Sequence, residues 1–191
     1  NGITSSVRGS LSLDTRDNRL FPTRGWFLQG SVEWADQYLG SENQFVRLDS
    51  SVRWYIPVFW KLVFKTNAEI GYVTSTDGTK IPLFERYLMG GIQTIRGFEF
   101  NSIGPTIDLS QTPDPTSLLR TFHLGGNKKL LFNAELELPI FEALKLRLVG
   151  FFDMGQAYDE SELIDLSKLR MSSGFGIRWF SPVGPLRFEW G

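Results

Sequence analysis

The sequence predicts an all-β fold, an antiparallel transmembrane β-barrel of about eight strands. Three observations predict it. Apolar and polar residues alternate with period two over segments about ten residues long, which marks strands rather than helices. Tryptophan and tyrosine gather near the ends of those segments. Although 41% of the 191 residues are hydrophobic, no run of about 18 apolar residues occurs, so the chain is not a helical membrane protein.

Eight strand segments follow in order: 2–14, 25–36, 44–57, 60–74, 127–139, 144–158, 169–181 and 185–191. The first two are joined by Asp14-Thr15-Arg16-Asp17-Asn18-Arg19-Leu20-Phe21-Pro22-Thr23-Arg24-Gly25, a stretch of turn formers. Asp14, Asp17 and Asn18 carry oxygens that Ca²⁺ could use, but their spacing is not that of an EF-hand and fits a turn better. In the third segment Val46, Leu48, Val52, Trp54 and Ile56 oppose Arg47, Asp49, Ser51 and Arg53. Pro57 then announces a tight turn. In the fourth, Leu62, Phe64, Thr66, Ala68, Ile70 and Tyr72 oppose Lys61, Lys65, Asn67, Glu69 and Gly71. In the fifth, Leu130, Phe132, Ala134, Leu136 and Leu138 oppose Asn133, Glu135 and Glu137. Pro139 closes it before another short turn. In the sixth, Leu144, Leu146, Leu148 and Phe152 oppose Lys145, Arg147, Val149, Phe151 and Asp153. In the seventh, Met171, Phe175, Ile177 and Trp179 oppose Ser172, Gly174, Gly176 and Arg178.

Strands of about ten residues exceed the five to six usual in soluble sheets and suit a tilted crossing of a bilayer. Trp26, Trp34, Trp54, Tyr55, Trp60, Tyr72, Tyr158, Trp179, Phe180 and Trp190 lie near strand ends, where amphipathic rings meet membrane interfaces. A soluble β-sandwich or a lipocalin-like barrel would turn the same apolar face inward. Alternation alone does not say which face is in. Strand length and terminal aromatics favour the membrane.

Residues 76–126 form a loop far longer than a hairpin needs. Its first half, Phe84 to Pro105, is dense in aromatics and glycine and is expected to be ordered. Its second half, Asp108 to Thr121, has Pro113 and Pro115 among serines and threonines and is expected to be exposed and mobile. Within the first half lies Gly90-Gly91-Ile92-Gln93-Thr94-Ile95-Arg96-Gly97-Phe98-Glu99-Phe100. Gly90, Gly91 and Gly97 let the backbone reach positive φ or approach other backbone. Arg96 is a permanent charge with five donors and no acceptor, and it needs a carboxylate. Asp153 is the candidate. The competing reading is an arginine on an exposed turn.

Net charge of −1 argues against nucleic acid as a partner, and the absence of cysteine removes disulfides, zinc–thiolate sites and thiol catalysis. His123 is the only histidine and falls in the loop's second half, so a catalytic triad is not expected. Glu135 and Glu137 could in principle work as acid and base. With no other sign of a substrate site, wall residues are the better reading. Gly90-Gly91 lacks the Gly-Lys-Ser/Thr of a phosphate loop. No enzyme activity, cofactor or metal is expected. The abrupt start of strand pattern at Asn1 and its stop after Trp190 suggest a piece of a larger barrel.

Four motifs, in order, resemble the BamA family of outer-membrane protein assembly factors, related to TamA and the two-partner secretion transporters. They are the Arg16-Asp17 to Pro22-Thr23-Arg24-Gly25 turn; Ile95-Arg96-Gly97-Phe98; Phe151-Phe152-Asp153-Met154-Gly155; and Met171-Ser172-Ser173-Gly174-Phe175-Gly176 followed by Ser181-Pro182-Val183-Gly184-Pro185-Leu186. The resemblance implies a sixteen-stranded barrel preceded by POTRA domains. Residues 1–191 would be the C-terminal portion of that barrel, lacking the POTRA domains, the first barrel half and the closing strand. It implies that the 76–126 loop folds inward and that Arg96, with Gly97 and Phe98 beside it, pairs with Asp153 and Glu137. The place is the outer membrane of a Gram-negative bacterium, and the work is folding and inserting other barrel proteins. The partners implied are outer-membrane lipids, unfolded outer-membrane protein clients and accessory lipoproteins. A polypeptide secretion pore is the alternative within the same fold, and a soluble binding sandwich the alternative outside it.

Overall fold

The computed structural model describes residues 3–108 and 121–191. Long strands dominate: β1 Ser6–Asp14, β2 Gly25–Ala35, β3 Phe45–Pro57, β4 Val63–Ser75, β7 Lys128–Phe141, β8 Leu146–Tyr158, β9 Arg170–Ser181 and β10 Gly184–Trp190. Two three-residue strands, β5 Thr106–Asp108 and β6 Thr121–His123, lie inside the long loop. Single 3-10 turns at Gln37–Leu39, Leu83–Glu85 and Leu166–Lys168 are the helical elements among the described residues.

The eight long strands make one antiparallel sheet in the order β1-β2-β3-β4-β7-β8-β9-β10. Each strand pairs with its neighbour in sequence; the crossing from β4 to β7 carries the long loop. β1 and β10 are the two edges, so the sheet is open. Four short turns, between β1 and β2, β3 and β4, β7 and β8, and β9 and β10, share one end of the sheet. β5 and β6 pair with each other alone. They were not foreseen, because three residues are too few to establish a period. They also bring His123 into a ladder opposite Thr106, rather than into the mobile segment expected for it. The expected mobility of Asp108 to Thr121 concerns residues 109–120, which lie outside the described residues.

The two faces differ as the alternation requires. On the outer face Leu11, Leu28, Val32, Leu48, Ile70, Leu136, Leu148, Phe152, Phe175 and Ile177 are exposed. Trp26 and Trp54 stack there at 4.6 Å, near the short turns. The inner face carries the charges, and the long loop packs on it. The buried apolar cores are therefore not between two layers of strands. One is Met89, Ile95 and Ile103 of the loop against Leu131 and Ala157; the other is Ile81 of the loop against Ala35, Phe45 and Val73.

The sheet curls strongly. Phe21, on the turn between β1 and β2, meets Phe180 on β9 edge-to-face at 4.7 Å. β2 and β9 are five strand spacings apart in the sheet order. A flat sheet would separate them by about 24 Å. Phe21 stands four residues before Gly25, a reach of about 14 Å if fully extended. The turn is folded by the Asn18 and Asp17 bonds rather than extended, so a curved sheet accounts for the contact.

That turn is itself firmly built. Asp17 accepts from the Thr23 and Arg24 amides at 2.9 and 3.1 Å and from the Thr23 hydroxyl at 2.6 Å. Asn18 Oδ1 accepts from the Leu20 and Phe21 amides. Its Asp and Asn residues thus serve the turn. Partial burial opposes the Asp17 charge, but the Thr23 hydroxyl and these amides outweigh it and hold the carboxyl down to about 2, from the ordinary 3.8. A depressed carboxyl stabilises the fold above its unfolded value and loses that contribution as pH falls through the folded one. Amide hydrogen exchange at Thr23 and Arg24 should therefore be slow above about pH 4 and accelerate, relative to intrinsic rates, as pH falls toward 2. Asp17→Asn should abolish that pH dependence.

Candidate functional site

The long loop enters from β4 and is pinned to the inner face at two separate places. The first lies near its start. The Arg47 guanidinium on β3 donates to the Glu85 carbonyl at 2.6 Å and to its carboxylate at 2.5 Å. The Tyr87 hydroxyl donates to Asp49 at 2.9 Å. Burial first, and the Asp49 charge next, push the Tyr87 phenol up, so it remains a donor. The Tyr87 ring lies directly over Gly71 of β4: a Cβ at 71 would stand 2.6 Å from the ring. Tyr87 also exchanges both backbone bonds with Gly126, so entry and exit of the loop are tied together.

The second place is the tip. Gly90 and Gly91 have φ of 109° and 92°, and Gly97 has φ of 82°. A Cβ at Gly90 would collide with the Glu99 carbonyl, so glycine is required there by space as well as by conformation. The Gly90 amide donates to the Thr94 hydroxyl, the Gly91 amide to the Ile95 carbonyl, and the Thr94 amide to the Gly91 carbonyl. This turn seats Ile95 in the apolar core beside Phe98 and drives Arg96 into the charged wall.

Arg96 is buried, and Asp153 on β8 is buried completely. The Arg96 Nε and Nη2 donate to the two Asp153 oxygens at 2.6 and 2.5 Å, a bidentate pair, and the Arg96 amide adds a third bond at 3.1 Å. Asn133 Nδ2 on β7 donates to both Asp153 and the Thr94 carbonyl at 2.8 Å. The remaining Arg96 nitrogen, Nη1, donates to Glu135 at 2.6 Å and to Glu189 at 3.2 Å. The guanidinium lies over the Phe151 ring, 3.7 Å from its centroid.

Glu137 is not among the partners of Arg96, contrary to expectation. It is buried among Lys65, at 2.7 Å, Arg147 and Arg178, at 3.5 Å. Glu135 takes the place expected of it. The two residues face the same way on one strand, so alternation makes them equivalent. Only the depth at which the loop tip rests separates them. Glu189 was missed because it lies on the last strand, where the pattern is short. Arg178 was placed on the polar face but not in the site; it bridges Glu135 at 2.6 Å and Glu189 at 2.8 Å. The Tyr87–Gly71 seat has no short-range signal in the sequence.

A cavity of about 320 Å³ opens beside the tip, lined by Thr94, Arg96, Asn133, Glu135 and Arg178. Among the described residues, no group of three or more His, Cys, Asp or Glu could hold a metal ion. The donors and acceptors of the Arg96 cluster are consumed by one another. These bonds join the loop tip to side chains of β7, β8 and β10.

The Omp85 superfamily domain matches residues 1–191. The chain is 31% identical over 190 residues to the outer membrane protein assembly factor BamA of Nitratidesulfovibrio vulgaris, covering 99% of this chain and 23% of that protein. It is 28% identical over 202 residues to BamA of Neisseria meningitidis serogroup B, covering 91% and 24%. It is 28% identical over 177 residues to a SAM50-like protein of Drosophila melanogaster, covering 92% and 37%. The crystal structure of BamA from Haemophilus ducreyi lacking POTRA domains 1–3 superposes with a TM-score of 0.82 at 24% identity, over 97% of this chain and 38% of that one. The chain thus spans about a quarter to a little over a third of the proteins it matches.

The seat under Tyr87 is testable by itself. Gly71→Val would place a side chain where the ring now lies. It should expose the loop's entry to protease in the folded protein, whereas Tyr87→Phe, which keeps the ring, should lose only the bond to the Asp49 carboxylate, about 1.5–3 kcal/mol. Limited proteolysis of the two variants, with cleavage mapped to residues 82–92, checks this.

Proposed function

Because the chain belongs to the Omp85 superfamily, we propose that it forms part of the transmembrane barrel of an outer-membrane factor that folds and inserts other β-barrel proteins. The observation that carries the reading is the loop tip on the wall: Arg96 bidentate to a fully buried Asp153 in a chain whose outer face is apolar. The exposed aliphatic and aromatic belt suits bilayer hydrocarbon, and the charged inner face suits a wet lumen. The names of the relatives support the outer membrane as the place and assembly of its proteins as the work. Clients would be unfolded outer-membrane proteins. Accessory lipoproteins and outer-membrane lipids would be the standing partners. The work needs no bond-breaking chemistry; it lowers the barrier for strand pairing in the membrane, where every unpaired backbone group costs several kcal/mol.

Residues 1–191 act here as a portion of the barrel, with residues 76–108 of the long loop folded inward. The tip is a latch: Arg96, Gly97 and Phe98 on the loop, Asp153 and Glu135 on the wall. Holding a loop of this length against its conformational entropy is a positional task. Net stabilisation by a buried pair is small, while loss of one partner costs about 3–5 kcal/mol.

Two experiments test the reading, both in the full-length protein reconstituted in liposomes. The first concerns orientation. Cysteine at 147 should react with a water-soluble maleimide and cysteine at 146 should not; the reverse would refute a membrane barrel. Arginine in place of Leu148 should destabilise by about 2–4 kcal/mol in a urea titration if that position lies near the bilayer midplane. The second concerns function. Arg96→Ala should leave the strands formed by circular dichroism and slow insertion of a client barrel at least about tenfold, with partial recovery in the charge-swapped Arg96→Asp/Asp153→Arg pair. Insertion at the wild-type rate would refute the latch.

A further inference from the structure

The Arg16–Gly25 turn remains unused by the latch, as does Glu137, and Arg147 touches both near the mouth of the sheet formed by the short turns. Phe21 reaches across that mouth from β1 and β2 to β8 and β9. Its ring is met edge-on by Phe180, covered by the Arg147 guanidinium at 4.4 Å, and approached by the Lys145 ammonium at 5.8 Å. The turn behind it is preorganised by Asp17 and Asn18, so the ring is presented rather than left loose. The seat is not filled solid. A cavity of about 480 Å³ lies between Phe21 and the wall, lined by Pro57, Val63, Pro139 and Phe141. The turn therefore has somewhere to move.

Arg147, the ring's cationic cover, is held by Glu137. Glu137 is shared with Arg178 at 3.5 Å. Arg178 is shared with Glu135 at 2.6 Å, and Glu135 with Arg96 at 2.6 Å. Each carboxylate in this line is divided between cations from different strands or from the loop. Withdrawal of Arg96 leaves Glu135 wholly to Arg178, which then has no need of its long contact to Glu137. Glu137, released by Arg178, can then settle toward Lys65, at 2.7 Å, and Arg147 loses the anchor that holds it over the Phe21 ring.

We propose that the turn between β1 and β2 is a strap across the short-turn mouth of the barrel, and that the loop arginine sets its seating through the shared carboxylates Glu135 and Glu137. The strap lies closed while Arg96 is in the wall and loosens when it leaves, so the mouth reads the state of the loop tip. Phe21 and Glu137 act here as positioning residues. The inference rests on the contacts of Arg96, not on the assembly role assigned to the protein.

The test is a distance measurement in the full-length protein in liposomes. Spin labels at cysteines replacing Leu20, on the strap, and Val183, on the turn beside Phe180, are both solvent-exposed reporters. Wild type should give one narrow distance. Phe21→Ala should broaden it, and Phe21→Trp should restore it. Glu137→Gln, which leaves every contact of Arg96 in place, should raise the open population about fivefold, and Arg96→Ala should do the same. Lys61→Ala, which breaks the exposed pair with Glu142 at the same mouth but outside the line of shared carboxylates, should change nothing. An unchanged distance in Glu137→Gln and Arg96→Ala would overturn the coupling, as would equal broadening by Lys61→Ala. Broadening in Glu137→Gln with unchanged insertion of clients would keep the strap and separate it from the assembly role.

Discussion

An arginine sealed against a wall is the constraint on which the rest depends. A guanidinium does not neutralise itself by losing a proton, so burying Arg96 commits the wall to carboxylates at its depth. Asp153 supplies both oxygens, Glu135 and Glu189 share the remaining nitrogen, and Asn133 fixes Asp153 from the side. Glu135 and Glu189 then need further cations, which Arg178 on β9 and Arg187 on β10 provide. A single buried charge thus ties the loop to side chains on β7, β8, β9 and β10. Desolvation and attraction nearly cancel in such a cluster, so its yield is geometry more than stability.

The apolar interior is equally unusual in its placing. With its large hydrophobic surface turned outward, the sheet has no second layer to pack upon, and the loop becomes its core. Close approach of loop to wall is made by removing side chains. Gly71 admits the Tyr87 ring, and Gly155 lies under Met89 and Ile95, where a Cβ would stand 2.9 Å from the methionine methyl. A strand that reads as weak in packing terms is thereby the socket of a contact.

Much of this was legible from alternation. The eight long strands, their antiparallel order and the face each residue takes follow from a period of two, and Asp153 was identified because a lone arginine between glycines needs a carboxylate on that face. Glu135 and Glu137 illustrate the limit. Strand parity fixes the face and leaves depth open, and depth depends on where the loop tip comes to rest after Ile95 finds its core. Phe21 is a second limit: its contact with Phe180 depends on how far the sheet curls, which no local pattern encodes. The three-residue strands β5 and β6 are a third, being held by pairing with each other and not by propensity.

The charge balance of the wall says what releasing the loop would cost and where. Asp153, Glu135, Glu137 and Glu189 face Lys65, Arg147, Arg178 and Arg187, four against four, once Arg96 is gone. Departure of the loop therefore leaves no net field to oppose it. The opposition is local. Glu135, Glu137 and Glu189 keep other cations, whereas Asp153 is left with the Asn133 amide alone among the contacts described. A fully buried carboxylate in that condition must rehydrate or recapture a donor. Within this cluster the wall is thus balanced without the loop except at Asp153, while Arg47 and Asp49 hold the loop separately near its start. Asp153 is therefore where the seated position of the loop tip is specified most strictly.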